Sequence, residues 1–487
     1  MKKVNAFLLV IFIWISFGQS IQANIKVSNL FSDNMVLQAD KEIVVWGNAD
    51  MMELVTIELN QVKVSMRAGI DEKWSLKLPS MKYGGPYELN IFGDDTVTFK
   101  NIMIGEVWLC AGQSNMRMTV NGVVNAKEEI TSANYDNIRF FTIPQKGTVE
   151  LQNNIDADWQ VCSPDIVGGK TAAGYFFARE LSKKLNVAVG LIDISFGGAN
   201  ILAFMDKETI QSTLNRASIS RSNIAREKLI KELVVDWENH ARKGNRPYMP
   251  QNISSLCYNA MVYPIIPFAN RGVLWYQGET NVYDPDDYVN WFGDYIAMMR
   301  ENFNNPEMPF YFVQLAGFEN QYNTNFAPGV WAKFRIVQEQ CLKYPYTGMV
   351  SAMDIGQKDN IHPKNKQELG RRLALFALNN TYGEKNIVCK GPVVKFIKQK
   401  GNRIIVTFLN SEGGLRNKSN TKLVSGFSVL LLNGEVNDVK GKIISENSVE
   451  IKAHNVLRLR YAYDNFPVCT LYNKEGLPAL SFDRIVE

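Results

Sequence analysis

Glu106-Val107-Trp108-Leu109-Cys110-Ala111 runs directly into Gly112-Gln113-Ser114-Asn115-Met116. The first stretch carries a single charge and no polar alternation. It therefore reads as a strand buried on both faces, since a half-exposed strand alternates polar and apolar residues. The glycine behind it is a turn residue, and the polar residues that follow sit just past the strand's carboxyl end. The pattern recurs downstream. Short apolar runs at 188–195, 272–277, 310–315 and 349–353 alternate with helical stretches at 172–185, 221–240, 286–302, 328–343 and 363–378. Such alternation predicts an α/β unit, a parallel sheet covered by helices on both faces, over residues 104–385.

On either side of this unit the pattern is β. Residues 24–103 hold short β-rich runs at 43–47, 54–59 and 87–92, separated by Gly84-Gly85-Pro86 and Gly93-Asp94-Asp95. They predict a small N-terminal sandwich. Runs at 393–397 and 403–408 predict a C-terminal β domain over 386–487. The chain opens with Lys2-Lys3, an apolar run over 6–17 and then Ala23. This has the form of a secretory signal peptide over residues 1–23, which implies an exported chain, periplasmic or secreted. No later run approaches the roughly 18 apolar residues of a membrane helix, so no membrane span is expected in the mature chain.

Lys plus Arg number 53 and Asp plus Glu 49, a net charge of +4 with no clustered basic face, so a nucleic-acid partner is not expected. The six cysteines contain no C-x-x-C pair, so no structural zinc is expected and buried free thiols are the default.

Chemistry in a parallel sheet gathers outside the carboxyl ends of its strands. There the sequence places Ser114, then Gly197-Gly198, then Gln277-Gly278-Glu279-Thr280-Asn281, then Asp359-Asn360-Ile361-His362-Pro363. Acyl transfer needs this set. A hydroxyl nucleophile needs a base, and histidine serves near neutral pH. The oxyanion needs donors: the serine N–H, a glycine N–H and an asparagine amide. The chain has three histidines. His240 lies in a polar helical stretch and His454 in the C-terminal β region, so His362, before a helix expected to start at Pro363, is the candidate base. A carboxylate should orient its ring. Asp359 has the closer spacing and Asp354 ends the preceding strand; Asp359 is the expected acid.

The nucleophile segment is not the G-x-S-x-G elbow, because Met116 stands at the second glycine. The block from Gly105 to Met116 instead resembles that of sialate O-acetylesterases and their carbohydrate acetylesterase relatives. Tyr258-Asn259-Ala260-Met261-Val262-Tyr263-Pro264, the block from Gly272 to Asn281, and Ile361-His362-Pro363-Lys364-Asn365-Lys366 resemble that family's later blocks, in order. Phe196 and Ala199 stand where the family often has Trp and Thr, a difference in the pocket wall.

The resemblance implies an SGNH-hydrolase-like, flavodoxin-like fold: a three-layer parallel sheet with flanking β-sandwich regions. It implies Ser114 as nucleophile, His362 as base, and an oxyanion hole of Ser114, Gly198 (the choice over Gly197) and Asn281. Gln113, Gln277 and Glu279 are expected to shape the loops or touch substrate. No metal or cofactor is expected. The implied activity is removal of acetyl groups from a carbohydrate, a sialate 9-O-acetyl ester first and acetylxylan or another plant polysaccharide second. A non-catalytic carbohydrate-binding protein is the rival, but it has no need of Ser, Asn and His at the ends of one sheet's strands.

Overall fold

A computed structural model of the chain describes residues 25–216, 249–319 and 329–486. The expected signal segment 1–23, the expected helix 221–240 with His240, and the expected helix start at Pro328 lie outside the described residues.

The α/β unit is built on seven strands: β1 (Thr96–Gly112), β2 (Tyr135–Thr142), β3 (Trp159–Cys162), β4 (Val189–Asp193), β5 (Gly272–Tyr276), β6 (Phe310–Gln314) and β7 (Thr347–Ser351). They lie in the order β3-β2-β4-β1-β5-β6-β7. Only β3 runs antiparallel to its neighbour; the other pairs are parallel. Residues of β4, β5 and β6 are buried throughout, as strands covered on both faces must be.

The covering helices are α1 (Ala172–Leu185), α2 (Pro285–Asn302), α3 (Val330–Gln340) and α4 (Lys366–Asn380). Aromatic contacts show which face each covers. Trp108 of β1 meets Phe177 of α1 at 5.2 Å and stacks on Tyr311 of β6 at 5.7 Å, and Tyr311 meets Phe376 of α4 at 5.2 Å. Adjacent strand residues point to opposite faces. Phe312 accordingly meets Phe292 of α2 at 5.1 Å, and Trp275 of β5 meets Tyr295 of α2 at 4.7 Å. So α1 and α4 cover one face and α2 the other, with α3 against α2 through Phe334 and Tyr288. Gly370 lets α4 cross α1 closely, because a Cβ there would collide with Phe176.

β1 is 17 residues long. Its first half pairs with Gly84–Phe92 and with Val36–Gln38, its second half with β4 and β5. The boundary expected at 103/104 therefore falls inside one strand, and the N-terminal β region shares a continuous hydrophobic core with the α/β unit. Glu106, fully buried on this strand, accepts both guanidinium bonds of Arg271 at 2.6 and 2.7 Å and the hydroxyls of Tyr83 and Tyr382 at 2.7 and 2.8 Å. Removing one partner of such a buried pair costs about 3–5 kcal/mol. The C-terminal region forms a seven-stranded antiparallel sheet with its own core. Buried Arg335 of α3 ties it to the α/β unit by donating to the carbonyls of Ala462, Asp464 and Asn465.

Strands β2 and β3 and helix α4 differ from expectation. Strands β2 and β3 extend the sheet where no strand was expected. Helix α4 starts at Lys366, not Pro363, because the Asn365 side chain caps it by accepting from Glu368 N–H at 3.2 Å.

Candidate active site

The chain order of the sheet decides where the site forms. From β1 the chain fills one side of the strand, ending with β4, then crosses to the other side with β5. The loops after β4 and β5 diverge there and leave a crevice at the carboxyl end of β1. Gly112 turns the chain into it. Its φ is +123°, and a Cβ would collide with the Tyr276 carbonyl on β5. That carbonyl instead accepts from Gln113 N–H at 2.9 Å. Ser114 then begins a one-turn helix, Ser114–Arg117. Arg117 anchors this helix to the end of β4 by donating to Asp193 at 3.1 Å, and to the end of β2 by donating to the Ile143 carbonyl at 3.3 Å.

His362 arrives from the loop after β7, and its Nε2 lies 2.7 Å from Ser114 Oγ. The ring is half-buried. Burial, and then the nearby Lys366 ammonium, lower its pKa below the ordinary 6.5. The imidazole is thus neutral at neutral pH, as a base must be. The backbone around it is tied on both sides: His362 N–H donates to Asn360 Oδ1 at 2.9 Å, and the Ile361 carbonyl accepts from Asn115 Nδ2 at 2.9 Å.

Asp359, the expected acid, is exposed, and among the described residues no hydrogen bond joins it to His362. The loop directs its side chain to solvent. Asp354 is not at the imidazole either. It holds Arg372 of α4 in a two-pronged ion pair at 2.6 and 2.8 Å and accepts from Tyr472 at 3.3 Å.

The backbone N–H groups of Ser114, Gly197 and Gly198 have no acceptor among the described residues. Gly197 lies against the nucleophile, since a Cβ on it would sit 3.8 Å from Ser114 Cβ, while Gly198, at φ +73°, faces Gln251. Asn281 is placed otherwise than expected. It has no exposed surface, and its amide joins three segments: Oδ1 accepts from Ile201 N–H at 3.2 Å and Gln277 Nε2 at 2.6 Å, and Nδ2 donates to Asp284 at 3.0 Å. A substrate oxygen has no access to it in this conformation. Gln277, also fully buried, accepts from Tyr288 at 2.9 Å, and Gln113 Oε1 accepts from Gly278 and Thr280 N–H, both at 3.3 Å. The side-chain hydrogen bonds of Gln113 and Gln277 thus run to other groups of the protein around the loop after β5. Glu279 accepts from Asn115 at 2.5 Å.

Among the described residues, one group is spaced to hold a cation: Asp50, Glu53 and Asp94 in the N-terminal β region. Both Glu53 oxygens already accept backbone N–H bonds from Asp50 and Asp94. No described helix is long and apolar enough to cross a membrane.

The sequence matches the carbohydrate esterase, sialic acid-specific acetylesterase family over residues 104–235 and 237–379, more than half of the 487 residues. The chain belongs to this family. It is a serine ester hydrolase, similar along most of its length to sialate O-acetylesterases. It is 28% identical to the human sialate O-acetylesterase over 510 residues, spanning 94% of this chain and 92% of the human protein. It is 29% identical to the rat sialate O-acetylesterase over 448 residues, 82% of this chain and 80% of the rat protein. A carbohydrate acetylesterase from Xanthomonas citri has a crystal structure similar to this fold, with a TM-score of 0.82 and 28% identity over 95% of this chain and 99% of that one.

Sequence reasoning gave no role to Asn115 or Lys366, which stand beside Ser114 and His362. The available signal was a lysine four residues after the base, at the first position of a helix.

Proposed function

We propose that this esterase removes O-acetyl groups from a carbohydrate, a sialate 9-O-acetyl ester first among them, through a Ser114–His362 pair and an acetyl-enzyme intermediate. The 2.7 Å approach of His362 Nε2 to Ser114 Oγ carries this reading. The neutral imidazole takes the serine proton as Oγ attacks the acetyl carbonyl. The oxyanion is met by Ser114 N–H and by N–H of the Gly197-Gly198 segment, with Gly198 still the assigned donor and Gly197 the nearer neighbour. The imidazolium returns the proton to the departing sugar oxygen. Water, deprotonated by the same ring, then releases acetate and frees Ser114. A Ser-His-Asp triad would require Asp359 to turn inward to Nδ1.

The order β4-β1-β5-β6-β7 is 2-1-3-4-5 in chain sequence, which supports an SGNH-type, flavodoxin-like assignment of the core sheet. The family match and the sialate O-acetylesterase relatives support the substrate class.

The test has two arms. Wild type should hydrolyse p-nitrophenyl acetate, and folded Ser114→Ala should lose at least about 10³-fold in kcat; near-normal activity in that variant ends the serine mechanism. A panel of O-acetylated sialic acids and acetylated xylan then assigns the sugar. Higher kcat/KM on acetylated xylan would replace the sialate reading with the polysaccharide one.

A further inference from the structure

Asn115 follows the nucleophile and is 1% exposed. Its amide is gripped from two sides. Nδ2 donates to Glu279 Oε1 at 2.5 Å and to the Ile361 carbonyl at 2.9 Å, and Oδ1 accepts from Lys366 Nζ at 2.6 Å. Lys366 is itself 1% exposed, its ammonium 5.1 Å from the centre of the Tyr276 ring. Glu279 is 8% exposed, and its Oε2 has no hydrogen-bond partner. One amide thus joins the loops that follow β1, β5 and β7. Fold stability gives little reason for such a set, since buried ionic groups can often be replaced by apolar ones without loss.

We propose that Lys366 and Glu279, acting through Asn115, are positioning residues for the esterase reaction, holding the His362 loop at hydrogen-bonding distance from Ser114. The inference rests on the Ser114–His362 reading. His362 has no carboxylate on its ring among the described residues, so its placement depends on its backbone. The Asn115–Ile361 bond fixes that backbone to the nucleophile helix. With its carbonyl on Lys366 and one N–H on Glu279, the Asn115 amide is locked in the orientation that aims its other N–H at Ile361.

The charges around the pair are few. Lys366 acts on His362, and Glu279 acts on Lys366, whose pKa burial brings down to about 7. Tyr276 and Tyr288, also under the influence of Glu279, are pushed up by burial and stay protonated. Asp359 and Lys364 are exposed on the same loop, and Glu368 is engaged by Arg371 and Arg372.

The test uses Lys366→Met and Glu279→Gln, both near-isosteric, in the full chain. Each should lower kcat on p-nitrophenyl acetate by about tenfold to a hundredfold, because a misplacement of about 1 Å costs up to roughly 10²-fold. KM should stay within about twofold, and the double variant should lose little more than either single one. Lys366→Met takes the donor from buried Asn115 Oδ1, so it should lower the melting temperature by about 2–6 °C, and kcat is read well below the transition. The substitution should move the acid limb of kcat/KM to higher pH, because the cation that depresses His362 is gone. That shift reports the lost charge; a purely structural role would leave the kcat of the folded variants unchanged. Folded variants with unchanged kcat, or losses that multiply and follow the melting temperature, overturn the proposal. If Lys366→Met does not fold, Glu279→Gln decides alone by its kcat. Inactive Ser114→Ala beside wild-type kcat in Lys366→Met refutes the positioning role only, whereas active Ser114→Ala refutes the Ser–His reading beneath it.

Discussion

Replacing Asp354 by Ala separates the two carboxylates that spacing alone offers to His362. In the structure this carboxylate serves Arg372, whose side chain is 3% exposed, and the Asp354 side chain is 5% exposed. Truncation takes both prongs at once. Nη2 loses its acceptor, while Nη1 keeps only the Ser351 carbonyl and Nε keeps Glu368. Leaving a buried guanidinium half-paired costs about 3–5 kcal/mol. At about 2 °C per kcal/mol for a cooperative unit the size of the α/β region, the melting temperature should fall by roughly 6–10 °C. Asp354→Asn keeps the volume and one acceptor, so it should lose about half as much. Thermal denaturation followed by circular dichroism measures this, and kcat on p-nitrophenyl acetate at 20 °C, well below the transition, should stay within about threefold. The companion variant is Asp359→Asn. Its side chain is exposed and unbonded to the imidazole, so melting temperature and kcat should both change little. A 10³-fold or greater loss of kcat with an unshifted melting temperature in Asp354→Asn would refute the reasoning. The same result in Asp359→Asn would restore a triad, since a histidine deprived of its acid loses the correct tautomer while the fold survives.

Three further outcomes follow from the same geometry. Asn281→Ala leaves Ile201 N–H without its acceptor and Gln277 Nε2 with only the Ala199 carbonyl, so chemical denaturation should show a loss of about 1–3 kcal/mol with kcat reduced less than tenfold; a 10²–10³-fold kcat loss at full stability would make Asn281 an oxyanion donor after all. Gly112→Ala puts a side chain at φ +123° against the Tyr276 carbonyl, which must displace the turn carrying Ser114; kcat should fall by about 10²-fold or more together with the melting temperature, and a normal kcat in folded protein would show the turn to be yielding. The depressed pKa of His362 sets the acid limb of kcat/KM: the base is lost as pH falls through a value below 6.5, so a measured midpoint above 6.5 would contradict the burial and Lys366 effects.

Much of the site was legible because each part leaves a local trace. A buried parallel strand shows as an unbroken apolar run, and a glycine behind it marks the turn where a side chain reaches the crevice. Ser114 and the Gly197-Gly198 pair were proposed in this way, and three histidines narrowed to one candidate by position alone; the structure places His362 beside Ser114. Strands β2 and β3 were missed because β3 is the edge strand and β2, next to it, is buried over only part of its length, so the apolar signal is weak. The start of α4 was misplaced because proline at a first helical position and asparagine at a cap are both good signals, and the Asn365 cap prevailed.

Sequence alone therefore determined the alternation of buried strands and helices in the α/β unit, apart from β2 and β3, and the serine and histidine that the crevice brings together. Tertiary structure alone decided what each polar side chain bonds to. Asp354 and Arg372 meet because the end of β7 lies against α4, and Asp359 is left in solvent because the loop turns its side chain outward. Asn115 meets Glu279 across 164 residues and Lys366 across 251. The physical reason is that periodicity records which face of an element is buried, whereas a hydrogen bond needs two atoms within about 3 Å at a defined angle. That condition depends on how loops from different strands converge, and residue spacing carries no measure of it.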